Sequence, residues 1–142
     1  MSMMFFDTLV RYEVALWNAL DRELARRQQV GLGPLHALRL VDHYAGQARV
    51  QDLSDDIGIT VGAASKLVDR LERDDLVSRR PNPANRRSSL IVLTSGGRRA
   101  LKSASRTCDA ALTRAVGEED VAAATAVLQR LQVRLTETGL EA

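Results

Sequence analysis

The chain has one cysteine, two histidines and three prolines in 142 residues, and no apolar run long enough to span a membrane. One cysteine, Cys108, excludes an internal disulfide framework. It falls in a predicted helix beside Ala104, Ala111 and Leu112, with no second cysteine and no base placed to activate it, so a buried, inert thiol is expected. His36 and His43 stand seven apart without a neighbouring cysteine and match no compact zinc spacing. Also missing are a nucleophile with its base, a phosphate-cradling glycine loop and a paired acid and base. Asp55 and Asp56 are adjacent on a predicted helix, hence on different faces, and read as a solvated pair. Neither an enzyme nor a metal or cofactor site is expected. With no signal-peptide pattern and no spanning segment, the expectation is a cytoplasmic protein without a membrane partner.

What is present is apolar content of 45%, enough for one domain, or one domain with a helical appendage. The net charge of +2 is uninformative, but its distribution is not. Residues 1–59 hold six Lys and Arg against eight Asp and Glu, residues 60–106 eleven against four, and residues 107–142 three against six. Positive charge gathers in the middle of the chain, as a footprint on a polyanion requires.

That middle is organised by residues 50–94. Leu53 and Ile57 lie four apart on a short helix, and Gly58 follows where a left-handed cap would end it. Thr60 offers an N-cap hydroxyl to a second helix, whose Ala64, Leu67, Val68 and Leu71 face inward. Val61, Gly62, Ser65, Lys66, Asp69, Arg70 and Arg73 occupy the other face. After Leu76 the period changes. Residues 77–80 are extended, Pro81-Asn82-Pro83 cannot continue a helix, and Ser89–Leu93 is a β-branched and aliphatic strand. The tip between them, Ala84-Asn85-Arg86-Arg87-Ser88, has nothing large and apolar to anchor it. Two adjacent arginines there repel each other, which a polyanion partner explains. A helix-turn-helix followed by such a wing predicts a reader of double-stranded DNA.

On either side lie longer helices. Phe5–Arg26 carries an apolar stripe of Phe6, Leu9, Val10, Leu16, Trp17, Leu20 and Leu24, with Arg11, Glu13, Asp21 and Glu23 assigned outside it, while Met1–Met4 are expected to be loose. Gly31 and Gly33 are expected to end that region. A second helix follows over Pro34–Tyr44, with Leu35, Leu38, Val41 and Tyr44 inward and Gly46 closing it. Arg49-Val50 suggests a short strand beside the wing. From Thr94 a helix runs to about Ala115, basic at Arg98, Arg99, Lys102 and Arg106. Gly117 breaks it, and Glu118, Glu119 and Asp120 open a last helix with a heptad-like seam of Val121, Ala124, Val127, Leu128, Leu131 and Leu135. The terminal helices bring more apolar surface than a small winged helix can cover, which predicts a homodimer. The fold class is therefore mostly α with a small β-hairpin wing: a winged helix-turn-helix over 34–93, and N- and C-terminal dimerisation helices over 1–33 and 94–142. The competing reading is a dimeric interaction module without specific DNA binding, or a redox-independent activator.

In order and nearly in full length the chain resembles the MarR (multiple-antibiotic-resistance regulator) family. The resemblance is most specific over residues 53–101, where Leu67-Val68-Asp69-Arg70-Leu71-Glu72 looks like the family's recognition-helix core. Leu76-Val77 with Arg79-Arg80 looks like the run into its wing, and Leu93-Thr94 with Gly97 like the exit. The resemblance implies a homodimeric transcriptional regulator, usually a repressor, on a pseudo-palindromic operator, relieved by a small aromatic or phenolic effector. It implies DNA contacts from Thr60, Val61, Gly62, Ala63, Ser65, Lys66, Arg70, Arg79, Arg86, Arg87 and Ser88. Two departures matter. Asn85 stands where the family's wing usually has an aspartate, two residues before the arginine that enters the minor groove, here Arg87; the wing should be looser for it. Gly62 and Ala63 replace early Ser or Thr positions, leaving discrimination to Thr60, Ser65, Lys66 and the minor-groove arginine. An effector pocket lined from the first, second and fifth helices makes Arg11, Trp17 and His36 its candidates.

Overall fold

The computed structural model describes residues 3–140. Its elements are α1 (Met4–Arg26), α2 (Leu32–His43), α3 (Val50–Ile57), α4 (Val61–Arg73), β1 (Val77–Pro81), β2 (Ser89–Leu93), α5 (Ser95–Val116) and α6 (Glu118–Glu137). The expected mostly helical chain with one two-stranded antiparallel hairpin is what forms. The strands pair Val77 with Leu93 through to Pro81 with Ser89, so the proline sits at the last rung. Two compact units result, Met1–Thr107 and Cys108–Ala142.

The core of the first unit belongs to the winged helix. Ala37, Leu38 and Val41 of α2 meet Ala48, Leu53 of α3, Ala64, Val68 and Leu71 of α4, Val77 of β1 and Ile91 of β2. Each of these is at most 1% exposed, so every element contributes a closed face. Leu67 is half-buried at its edge, as is Tyr44. A third extended segment does join the hairpin, but one residue earlier than the sequence suggests. Ala48 bridges Ile91, whose N–H donates to the Ala48 carbonyl at 2.7 Å, whereas Arg49 caps α3 and Val50 is its first residue. The reason lies in Asp52. Its carboxylate accepts from the Arg49 backbone N–H at 2.9 Å and from the guanidinium, which starts a helix there instead of extending a strand. Arg49 in turn holds the Asp52 carboxyl below the usual carboxylate range.

Three joints set the angles between elements. Gly58 is left-handed at φ 77°, and the buried Ser54 hydroxyl donates to the Ile59 carbonyl at 2.6 Å, closing the turn from α3 into α4. At the end of α4, Leu76 N–H returns to the Leu71 carbonyl and Asp75 N–H to Glu72, a paired C-terminal cap with Asp75 itself left-handed at φ 57°. At the start of α5, the Thr94 hydroxyl donates to the Asp75 carbonyl and accepts from Gly97 N–H at 2.9 Å. Gly97 lies so close to the cap that a Cβ there would stand 1.9 Å from the Leu76 carbonyl oxygen, so only glycine fits.

Outside the winged helix several local expectations change. The same type of paired cap, not a glycine, ends α1: Gln28 is left-handed at φ 55° and Gln29 N–H returns to Leu24. Gly31 instead caps α2, where Leu32 N–H donates to Asp21 Oδ1 at 2.9 Å, and Gly33 lies inside the helix. Met4 already belongs to α1, while Met1 and Ser2 lie outside the described residues. Glu13 is on the apolar stripe, not off it: it is seven residues from both Phe6 and Leu20, on one line along a continuous helix. Only Leu24 of α1 is buried; Phe5, Phe6, Leu9, Val10 and Trp17 are exposed. In α6 no residue is buried, and Val127, Leu128 and Leu135 remain exposed. Cys108, as expected, is buried. No helix among the described residues is long and apolar enough to cross a membrane.

Candidate nucleic-acid interface

The first turn of α4 is presented by its cap. Thr60 Oγ1 accepts from Ala63 N–H at 3.1 Å, satisfying one of the donors left free at a helix start. With that hydroxyl turned to the backbone, the outward surface of the turn is Val61, Gly62 and Ala63, all exposed, Val61 to 47%. Space around Gly62 is open, since a Cβ would find nothing nearer than Thr60 Oγ1 at 4.0 Å. Further along, Lys66 and Arg70 are exposed and Ser65 half-buried. This face is small and uncharged at its tip and basic behind, with the partial positive charge of the helix N-terminus added to it.

The wing tip is shaped by its asparagines. Asn82 accepts from Ala84 N–H at 3.0 Å and donates to Ser88 Oγ at 2.9 Å, lacing the two sides of the loop together. Asn85 Oδ1 accepts from Arg87 N–H at 3.0 Å, so the amide supplies a neutral brace to the backbone where a carboxylate would have supplied a charged one. Arg86 and Arg87 extend from this loop, exposed and without an ion-pair partner among the described residues. Arg80 is exposed as well.

Arg79 behaves differently from the other arginines. Its Nη2 lies 2.7 Å from Asp69 Oδ1 and its Nη1 2.9 Å from Glu72 Oε1, while its backbone N–H donates to Glu72 Oε2 at 3.2 Å. Its side chain is only 25% exposed. Of the residues assigned to DNA from sequence, Thr60, Val61, Gly62, Ala63, Lys66, Arg70, Arg86 and Arg87 are exposed and Ser65 and Ser88 half-buried; Arg79 alone is committed to a pair of carboxylates.

The three effector candidates stand on two helices, Arg11 and Trp17 on α1 and His36 on α2. His36 lines an open cavity of about 640 Å³ with Arg39, Leu40, Asp42 and His43 of α2, Asp56 of α3, and Leu101 and Ser105 of α5. Arg11 and Trp17 are exposed on α1, and neither lines it. Asp56 is more than a solvated carboxylate: it accepts from Tyr44 Oη at 2.6 Å, and this bond pushes the Tyr44 phenol up to about 12. Among the described residues no group of three or more His, Cys, Asp or Glu could hold a metal ion.

This arrangement has a family counterpart. Residues 33–89, from the start of α2 to the start of β2, match the model of the MarR family. Over those residues the chain resembles the MarR family's winged helix. Solved structures extend the likeness over most of the chain. CouR from Rhodococcus jostii RHA1, solved with p-coumaroyl-CoA, is 26% identical with a TM-score of 0.76 over 88% of this chain and 87% of CouR. A MarR-family transcriptional regulator from Rhodococcus sp. RHA1 is 26% identical with a TM-score of 0.77 over 87% and 89%. BldR from Sulfolobus solfataricus, 18% identical, shares the fold at a TM-score of 0.81 over 93% and 94%. No curated protein matches the sequence.

Within this winged helix, sequence reasoning missed the partners of Arg79 and the role of Asn82. The first pair lies seven and ten residues from the arginine, across a helix end and a turn, so no local spacing rule reaches it. Asn82 was legible only as part of a helix-breaking Pro81-Asn82-Pro83. Its reach to Ser88 needs the hairpin register.

Proposed function

We propose that this MarR-family chain is a cytoplasmic, ligand-responsive transcriptional regulator, acting as a repressor. It binds a pseudo-palindromic operator as a homodimer. The observation that carries the reading is the pairing of two unengaged basic elements on one rigid unit. The exposed N-terminal half of α4 and the exposed Arg86-Arg87 tip share the core through Val68, Leu71, Val77 and Ile91. A helix of this kind fits the major groove, and an arginine on a narrow loop suits the minor groove. In this reading Arg87 enters the minor groove, Lys66, Arg70, Arg86 and Ser88 hold the backbone, and Thr60, Val61, Gly62, Ala63 and Ser65 approach base edges. Residues 34–93 are the reading domain, and residues 1–33 and 94–142 the dimerisation region. The relatives support this: CouR from Rhodococcus jostii RHA1 has been solved with p-coumaroyl-CoA, and a transcriptional repressor CouR, 21% identical to this chain, has been solved bound to a 23-mer DNA duplex.

The test begins with selection of bound fragments from the source genome and a search among them for an inverted repeat. On such a fragment, Arg87→Ala should weaken binding by about 1–3 kcal/mol with fold and dimer intact. Equal affinities in a gel-shift titration would remove Arg87 from the interface. For the effector, a small aromatic acid should raise the melting temperature of the parent, and less so that of His36→Ala; a series of such acids without any shift would leave the cavity beside His36 without that role.

A further inference from the structure

We propose that Arg79 is a positioning residue, not a phosphate ligand: it clamps the wing to the recognition helix through Asp69 and Glu72, so that the two engage DNA as one body. The inference rests on the DNA-binding reading and corrects the assignment of Arg79 within it. Asp69 and Glu72 belong to α4 and Arg79 to β1, so the three hydrogen bonds cross from the helix to the hairpin. Both terminal nitrogens of the guanidinium are used, one to each carboxylate, and the Arg79 backbone N–H donates to the second oxygen of Glu72. No other ion pair among the described residues joins α4 to the wing.

Two consequences point away from phosphate. First, turning Arg79 to the duplex would strand Asp69 and Glu72, three residues apart on one helix face, as an uncompensated like-charge pair beside a polyanion. Secondly, neighbouring arginines are available without that penalty, since Arg70, Arg80, Arg86 and Arg87 are exposed and outside every ion pair found. The clamp sits where the hairpin leaves the core. There it fixes the direction in which the wing tip, about nine residues of loop and strand beyond it, leaves the helix.

Three substitutions decide the matter: Arg79→Lys, Arg79→Gln, and Arg79→Gln in an Asp69→Asn, Glu72→Gln background. Lysine keeps the charge and loses the fork, so a clamp is impaired by it and a phosphate contact is not. The expected result is operator affinity about tenfold lower for both Arg79→Lys and Arg79→Gln. The slope of log affinity against log salt should stay at the parent's value. Once both carboxylates are neutral, the glutamine substitution should change affinity less than about threefold, because the partners it served are gone. Backbone amides of residues 80–90 should exchange faster in Arg79→Gln free of DNA, a readout that stands even if no operator is found. The proposal is overturned if Arg79→Lys binds like the parent, or if Arg79→Gln lowers the salt slope by about 0.9, the signature of one lost phosphate contact. It is overturned equally if the loss is the same in both backgrounds, or if the hairpin amides exchange as in the parent.

Discussion

The winged helix and the last helix are made from similar residues and end in different states. Leucines 38, 53 and 71 are at most 1% exposed, whereas Leu128 and Leu135 of α6 are 45% and 44% exposed. Both regions have apolar residues at helical spacing. The difference is that α2, α3, α4 and the hairpin enclose one another within a few dozen residues, while α6 is a single stripe of leucine and valine on a long helix. A pattern says which side of an element is apolar; it does not say that the chain has enough of itself to cover that side. The first four turns of α1 resemble α6 in this, and in the proposed regulator a second copy covers both.

That comparison can be broken from either end. The largest effect belongs to the closed core: Leu71→Ala should cost about 2–5 kcal/mol of folding stability, read in a urea melt, because it empties a fully enclosed site. A loss under 1 kcal/mol would mean the core is not the rigid body described. Leu128→Glu should leave the winged helix folded by circular dichroism and weaken self-association by about 3 kcal/mol in sedimentation, as a charge placed in an apolar seam does. An unchanged dimer would take α6 out of the interface. A smaller gain is expected at the joint beyond α4: Asp75→Gly should stabilise the chain by about 1 kcal/mol in thermal melts, since it relieves a left-handed aspartate at φ 57°.

The smallest effect is electrostatic. Asp52 is held below its ordinary pKa by Arg49, so the protonated form is disfavoured in the folded state. Its contribution is therefore present above the unfolded carboxylate pKa and is lost as pH falls through the depressed folded value. The pair is partly exposed, with Arg49 at 51%, which limits the effect to below about 1 kcal/mol. Asp52→Asn should therefore be slightly less stable than the parent at neutral pH and converge with it at acid pH, flattening the acid limb of a stability-versus-pH curve; curves that coincide at every pH would show that the capping pair carries nothing.

Much of the reading surface was legible because its signals are local. Gly58 and Thr60 act within a few residues of themselves, and their backbone consequences appear where the sequence places them. Gly97 could be recognised only by resemblance, and its reason, a carbonyl of Leu76 twenty-one residues earlier at contact distance, is tertiary. The strand beside the wing went to Ala48 instead of Arg49-Val50 because a capping carboxylate three residues on outcompeted extension. For Glu13 the reason is simpler: its charge argues for the outer face, but its helical angle, seven residues from Phe6 and Leu20, sets it on the apolar stripe.

By itself the sequence determined the helices, the Gly58 and Thr60 signals of the helix-turn-helix, the two strands of the hairpin and the location of the basic middle, since all of these follow from periods and neighbours close in the chain. Only the folded chain decided which arginines are free. Arg79, Arg86 and Arg87 carry the same charge within nine residues, yet the first faces two carboxylates of α4 while the others face none. Charge is a property of the side chain, but its availability depends on what the packing brings within hydrogen-bond distance.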